Sequence, residues 1–238
     1  MRRFCLTVFV LLVTGGCQTT GRVLDELPAP LVRPTPRAAQ PKPTPAPPTM
    51  PPQQTRTIKG TTIVVDAGHG GKDPGAVKPL SRLPEKTIVL DIGQKLAAIL
   101  RQRGARVIMT RVSDVFVELD DRAAMADRTL ADLLVSVHAD SAHRLSASGM
   151  GLYIARNASK ESQRIAHRLD GVIKRSGVKS RGIHRAGLRV LVGHSRPSIL
   201  VECGFLSNAG DARKLNTPAH RARVAQIIAD GITDHFSR

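Results

Sequence analysis

Four residues from separated segments carry chemistry of one kind. His69 stands in the glycine-rich stretch AGHGG, directly after the apolar run TTIVVD; Glu85 opens an amphipathic segment; His138 closes the run LLVSV; Glu202 ends SILVE. Two imidazoles and two carboxylates suit a catalytic zinc ion, which takes three nitrogen or oxygen ligands and keeps one position open for water. Zinc lowers the pKa of such a water towards ~7. A further carboxylate is then needed to receive the water's proton and pass it to a departing amine. Singly, none of the four says much: a Glu at a helix start ordinarily complements the helix dipole, and a lone His is ordinarily structural or solvent-facing.

These residues need a frame that brings distant segments together. Apolar runs predict strands at 61–66, 105–110, 133–138, 150–155, 188–192 and 198–203. A first helix opens with Pro84 in its first turn, turns Ile88, Ile92, Leu96 and Ile99 to one face, and stops at Gly104. A second begins near Asp120. A third runs over 159–177 with Ile165, Leu169 and Val172 inward, and a last one follows Thr217-Pro218 with Val224, Ile227 and Ile228 buried. There is no internal repeat. Strands interleaved with helices predict an α/β fold: an open, mainly parallel twisted sheet of about six strands flanked by helices, in a single domain over 57–238. Reactive groups in such sheets gather just beyond the carboxyl ends of strands, which is where His69, His138 and Glu202 fall.

The strings VVDAGHGGKDPGA, EK at Glu85-Lys86, TR at Thr110-Arg111, SVHADS and ILVECGFLSN occur in that order. The ordered set resembles the motifs of the zinc amidase family usually called amidase 3, across essentially all of residues 60–238. The resemblance implies His69, Glu85 and His138 as ligands of Zn2+ and Glu202 as catalytic acid and base. It also implies cleavage of peptidoglycan between the lactyl group of N-acetylmuramic acid and L-alanine, in wall remodelling or daughter-cell separation. Asp140 stands where many members have Asn, and Cys203 where many have Thr. Some members carry a long inhibitory insertion after the second histidine motif; here 141–159 is too short for such a helix.

The N-terminus bears on the compartment. Arg2 and Arg3 precede an apolar stretch from Phe4 to Val13, too short to span a bilayer with comfort, and Gly15-Gly16 stand before Cys17. This resembles a bacterial lipoprotein signal over 1–16, with Thr14 departing from the usual Leu. It implies a lipid on Cys17, hence a membrane-anchored periplasmic protein, and Gln18 favours the outer membrane. Most of the sixteen prolines fall between Pro28 and Pro52, so 17–56 reads as a lipidated terminus and a semi-rigid polyproline spacer. Its residues 27–54 could reach roughly 90 Å when extended. With Cys5 in the signal and Cys17 acylated, Cys203 is left without a partner. It reads as a small buried hydrophobe, because its strand neighbour Glu202 faces the other way.

The net charge is +17, and twelve of those charges belong to 57–238. A basic surface attracts polyanions of any kind, but 3% aromatic residues and no Trp leave few stacking platforms, so nucleic acid is not expected as a partner. A monomer acting on peptidoglycan is expected, and no activator protein is legible. The alternative is a catalytically silent wall-binding or activator protein on the same fold, against which the four intact residues count. The histidines at 143, 167, 184, 194, 220 and 235 read as surface residues, with His184 and His194 near the groove rim.

Overall fold

The computed structural model describes residues 57–237; the expected signal, Cys17 and the whole of the spacer lie outside them. Strands β1 (Thr62–Ala67), β2 (Arg106–Met109), β3 (Leu133–Asp140), β4 (Met150–Ala155), β5 (Ser180–Ala186) and β6 (Ser198–Phe205) form one sheet in the order β2-β1-β3-β6-β4-β5. All neighbours are parallel except β4 and β6. This is the expected mainly parallel, single-domain α/β architecture. No helix among the described residues is long and apolar enough to cross a membrane.

The helices are α1 (Glu85–Gln102), α2 (Leu119–Arg128), α3 (Lys160–Arg175), α4 (Arg189–Val192), α5 (Ala209–Leu215) and α6 (Pro218–Phe236). Strand alternation divides the core. Val65, Val135, Val137 and Val201 pack with Ile88, Ile92 and Leu96 of α1, Ile165 and Leu169 of α3, and Val224 and Ile228 of α6. Val64, Leu134 and Leu200 face the other way, onto Ala126 of α2 and Val190 and Leu191 of α4. The second face has the lighter cover, because α4 is a single turn. Each fully buried Leu, Ile or Val contributes roughly 1.5–3 kcal/mol of transfer free energy. Helix starts are capped by sequence: Ser159 Oγ accepts from the Ser162 amide at 3.1 Å, and Thr217, with Pro218 behind it, accepts from the His220 amide at 3.3 Å.

Two expectations fail here. The run 188–192 is not a strand but the turn α4 with its preceding residue Leu188, and its Val190 and Leu191 are buried against the sheet. A short apolar run cannot by itself distinguish a strand from a buried turn. The strand in that region is β5, SRGIHRA, an edge strand paired only with β4, so solvent on its free side tolerates Arg and Ser. His235 is likewise not on the surface: it is 4% exposed and its Nε2 lies 2.6 Å from Glu161 Oε1. Cys203 is buried at 3% exposure, and burial pushes its thiol well up, as expected for a hydrophobe rather than a nucleophile.

Candidate metal centre and active site

The loop after β1 turns sharply to present His69. His69 itself adopts φ 57°, and Gly70, Gly71 and Gly75 also have positive φ. For a non-glycine residue that conformation costs about 1–2 kcal/mol, so other contacts must hold it. Two buried arginines do so. Arg111 donates to Ala67 O at 2.8 Å and Gly68 O at 2.7 Å; Arg122 donates to Ala67 O at 2.8 Å and His69 O at 2.6 Å. Three successive carbonyls are thus captured by two guanidiniums, each 2–3% exposed. Arg122 also donates to Asp66 Oδ1 at 2.8 Å, and Asp66 accepts from Thr110 at 2.7 Å and Ser136 at 2.6 Å. Burial opposes the Asp66 charge, but Arg122, Ser136, His138 and Thr110 outweigh it and hold the carboxyl below its usual range.

His69 Nδ1 lies 2.8 Å from Asp73 Oδ2. A carboxylate only accepts, so Nδ1 carries a proton and Nε2 is the ring atom turned inward. From α1, Glu85 reaches the same point: its Oε1 lies 3.0 Å from His69 Nε2 and 3.1 Å from His138 Nδ1. The ligand atoms of His69, Glu85 and His138 all lie within 4.8 Å of one another. Glu85 accepts from the amides of Ala139 and Ala76, both at 2.9 Å, while the amides of Glu85 and Lys86 donate back to Ala76 O and Pro74 O at 3.1 Å. The carboxylate is thereby fixed at the helix start without an ordinary side-chain cap. Two glycines make room: a Cβ on Gly68 would stand 2.2 Å from His138 Cε1, and one on Gly75 2.7 Å from Glu85 Oε2.

Electrostatics say what the cluster wants. Burial opposes ionisation of Glu85, yet His138 and His69 hold its carboxyl far below the usual range. Burial likewise disfavours charge on His138, but its bond to Glu85 and the charges of Glu202, Glu85 and Asp66 raise the ring to about 9. Lone pairs from two imidazoles and a carboxylate converging on one point require a positive charge between them, a proton or a metal ion. The donor set, two nitrogens and one carboxylate, fits zinc.

Glu202 pairs in register with His138 and, like His138, belongs to the lightly covered face. Its Oε2 is closed off from solvent and has no hydrogen-bond partner among the described residues. Burial pushes its carboxyl up to about 8, with His138 pulling down and Asp140 and Glu85 adding to the rise. A cavity of about 490 Å³ opens beside His69 and His138, walled by Phe116, Leu119 and Val190. Lys72 Nζ sits 4.2 Å above the Phe116 ring.

The family model for N-acetylmuramoyl-L-alanine amidase matches residues 63–234. The chain belongs to this family. Bacillus subtilis YqiI is 34% identical over 188 residues, covering 78% of this chain and 90% of YqiI. Staphylococcus epidermidis LytH, a probable cell wall amidase, is 35% identical over 182 residues, covering 76% of this chain but 60% of LytH. Among solved structures, the amidase AmiC2 of Nostoc punctiforme superposes with a TM-score of 0.70 at 36% identity, covering 75% of this chain and 98% of that one.

The structure brings His69, Glu85 and His138 together and sets Glu202 beside them. Sequence reading missed Arg122 and Asp73. Arg122 had a signal, a cation on the apolar side of α2 next to Ala123 and Ala126; the Asp73 contact depends on a loop conformation that no periodicity reveals.

Proposed function

We propose that this N-acetylmuramoyl-L-alanine amidase is zinc-dependent, with His69, Glu85 and His138 holding Zn2+ and Glu202 acting as general acid and base in peptidoglycan hydrolysis. The observation that carries the reading is Glu85 Oε1 standing 3.0 and 3.1 Å from two imidazole nitrogens, beside a Glu202 oxygen with no partner among the described residues. The bound ion supplies Lewis-acid stabilisation and an acidified water.

The chain's own residues supply the rest. Asp73 fixes the His69 tautomer, as a hydrogen-bonded outer carboxylate does for a ligating histidine. Glu202 takes a proton from the attacking water and delivers it to the nitrogen of L-alanine as the C–N bond to the lactyl carbonyl breaks. Its raised pKa makes its carboxylate a stronger base than an exposed glutamate. The cavity beside His69 receives the substrate. By the same reading the mature protein is a periplasmic monomer anchored through lipid on Cys17, in the outer membrane, and the spacer sets its reach.

Incubation with defined muropeptides, mass analysis of the products and metal analysis test this. Release of stem peptides with a free L-alanine amine, lost on chelation and restored by zinc, is the expected result. Products cut at another bond, or activity indifferent to chelation, overturn it.

A further inference from the structure

Beyond Glu202, the rim of the sheet carries hydrogen-bond donors that the reaction above does not use. β4 runs against β6, so β4 and β5 begin where β3 and β6 end. Gly151 of β4 leaves bare backbone between two side chains: a Cβ there would lie 3.9 Å from Glu202 Cβ and 3.7 Å from Arg181 Cβ. Arg181 is exposed and makes no hydrogen bond or ion pair among the described residues. Its guanidinium is laid over the Phe205 ring, with Cζ 4.7 Å from the centroid.

Two residues along β4, Tyr153 faces the same way as Gly151. It stands opposite His184 of β5, with ring centres 5.1 Å apart. The Tyr153 hydroxyl has no hydrogen bond among the described residues, and His184 Nε2 is closed off from solvent without a partner. An unpaired surface arginine is ordinary by itself. One laid over an aromatic ring, beside the bare backbone of Gly151 and the Glu202 side chain, forms a platform for an anion at the rim of the site. A guanidinium presents a planar fork that matches a carboxylate in two-point contact.

We infer that Arg181, with Tyr153 beside it, binds a carboxylate on the departing stem peptide and sets a preference for stems whose second residue carries that group free. The inference rests on the amidase reading, which puts the departing nitrogen at Glu202; the peptide attached to it then lies over Gly151, towards Arg181.

Two synthetic muropeptides test it, identical except that the second stem residue bears a free carboxylate in one and a carboxamide in the other. With the zinc-loaded protein, the wild type favours the carboxylate. Arg181→Gln lowers that preference in kcat/KM by about tenfold to a hundredfold, as loss of a hydrogen bond to a charged group does, with the change mainly in KM. Arg181→Lys, which keeps the charge and loses the fork, falls between. A preference that both variants retain in full refutes the platform while the amidase reading stands. A wild type that cuts neither muropeptide refutes the amidase reading and the platform together.

Discussion

Replacing Arg122 by Met tests the buried clasp beneath the metal centre. Arg122 and Asp66 are 2% and 1% exposed, and the guanidinium serves Asp66 Oδ1, Ala67 O, His69 O and, through Nε at 2.9 Å, Val117 O. Removing one partner of a buried ion pair leaves an uncompensated charge and costs about 3–5 kcal/mol. That is a large part of the ~5–15 kcal/mol that holds a typical domain. The sign with pH is specific. In the wild type the lowered pKa of Asp66 contributes stability above its unfolded value near ~3.9, and that stability is lost as pH falls through the folded value. In the variant, burial without Arg122 raises the same group, so its ionisation opposes folding above ~3.9. The gap between the two proteins is therefore widest at neutral pH and closes towards acid.

Urea denaturation at pH 7, 5 and 4 measures that gap, with Asp66→Asn added to close a double-mutant cycle. Arg122→Lys keeps the ion pair but cannot span the carbonyls. It should cost less stability and still weaken zinc binding by about tenfold to a hundredfold, since the His69 loop loses its grip. A gap below about 1 kcal/mol at pH 7, or one that does not change with pH, would falsify the clasp as the source of that stability.

Three further outcomes are expected. His69→Ala, Glu85→Ala or His138→Ala should lose zinc and activity together, whereas Glu202→Gln should keep zinc and lose turnover by about a hundredfold to ten-thousandfold; metal analysis beside a muropeptide assay decides it, and loss of zinc from Glu202→Gln would make that residue a ligand. Gly68→Ala drives a methyl to 2.2 Å from His138 Cε1, so zinc affinity should fall with the fold intact by circular dichroism; unchanged affinity means the loop yields freely. Cys17→Ser should abolish lipid attachment and move the protein from membrane to soluble fractions, and an unmodified Cys17 in the wild type by mass spectrometry sinks the anchor.

The central strands were legible because their sequences say one thing at every level. Ile63, Val64 and Val65 of β1 or Leu133 through Val135 of β3 are buried on both faces, and only a continuous apolar run serves such a place. β5 was not legible, since Ser180, Arg181 and His184 serve an edge and a rim where a core strand would carry Val and Ile. α4 was misread for the converse reason, its LRVLV neighbourhood being apolar enough for a strand and too short to show a period. At the site, Glu85 was legible because it begins α1, and His69, His138 and Glu202 because each lies within three residues of the carboxyl end of a strand, with the ordered motifs supplying their roles. Arg122 and Asp73 were not, because their work is on backbone carbonyls and a ring nitrogen of a loop whose left-handed turn at His69 cannot be read from residue types.

The reversal of β4 against β6 decides where this molecule can be lengthened. Segments 68–84, 110–118, 141–149, 176–179 and 206–208 all leave or enter the sheet at the rim that holds Glu85, His138 and Glu202. Segments 103–105, 129–132 and 156–159 turn at the opposite edge. Extra residues in any of the first five would raise a wall beside the catalytic groups while every strand keeps its register, since surface connections absorb insertions at small cost. An all-parallel sheet would present only the segments that follow its strands. Here two walls are built by segments that precede a strand, and the short connection 141–149 does both, so the depth and gating of the groove can change without moving a ligand.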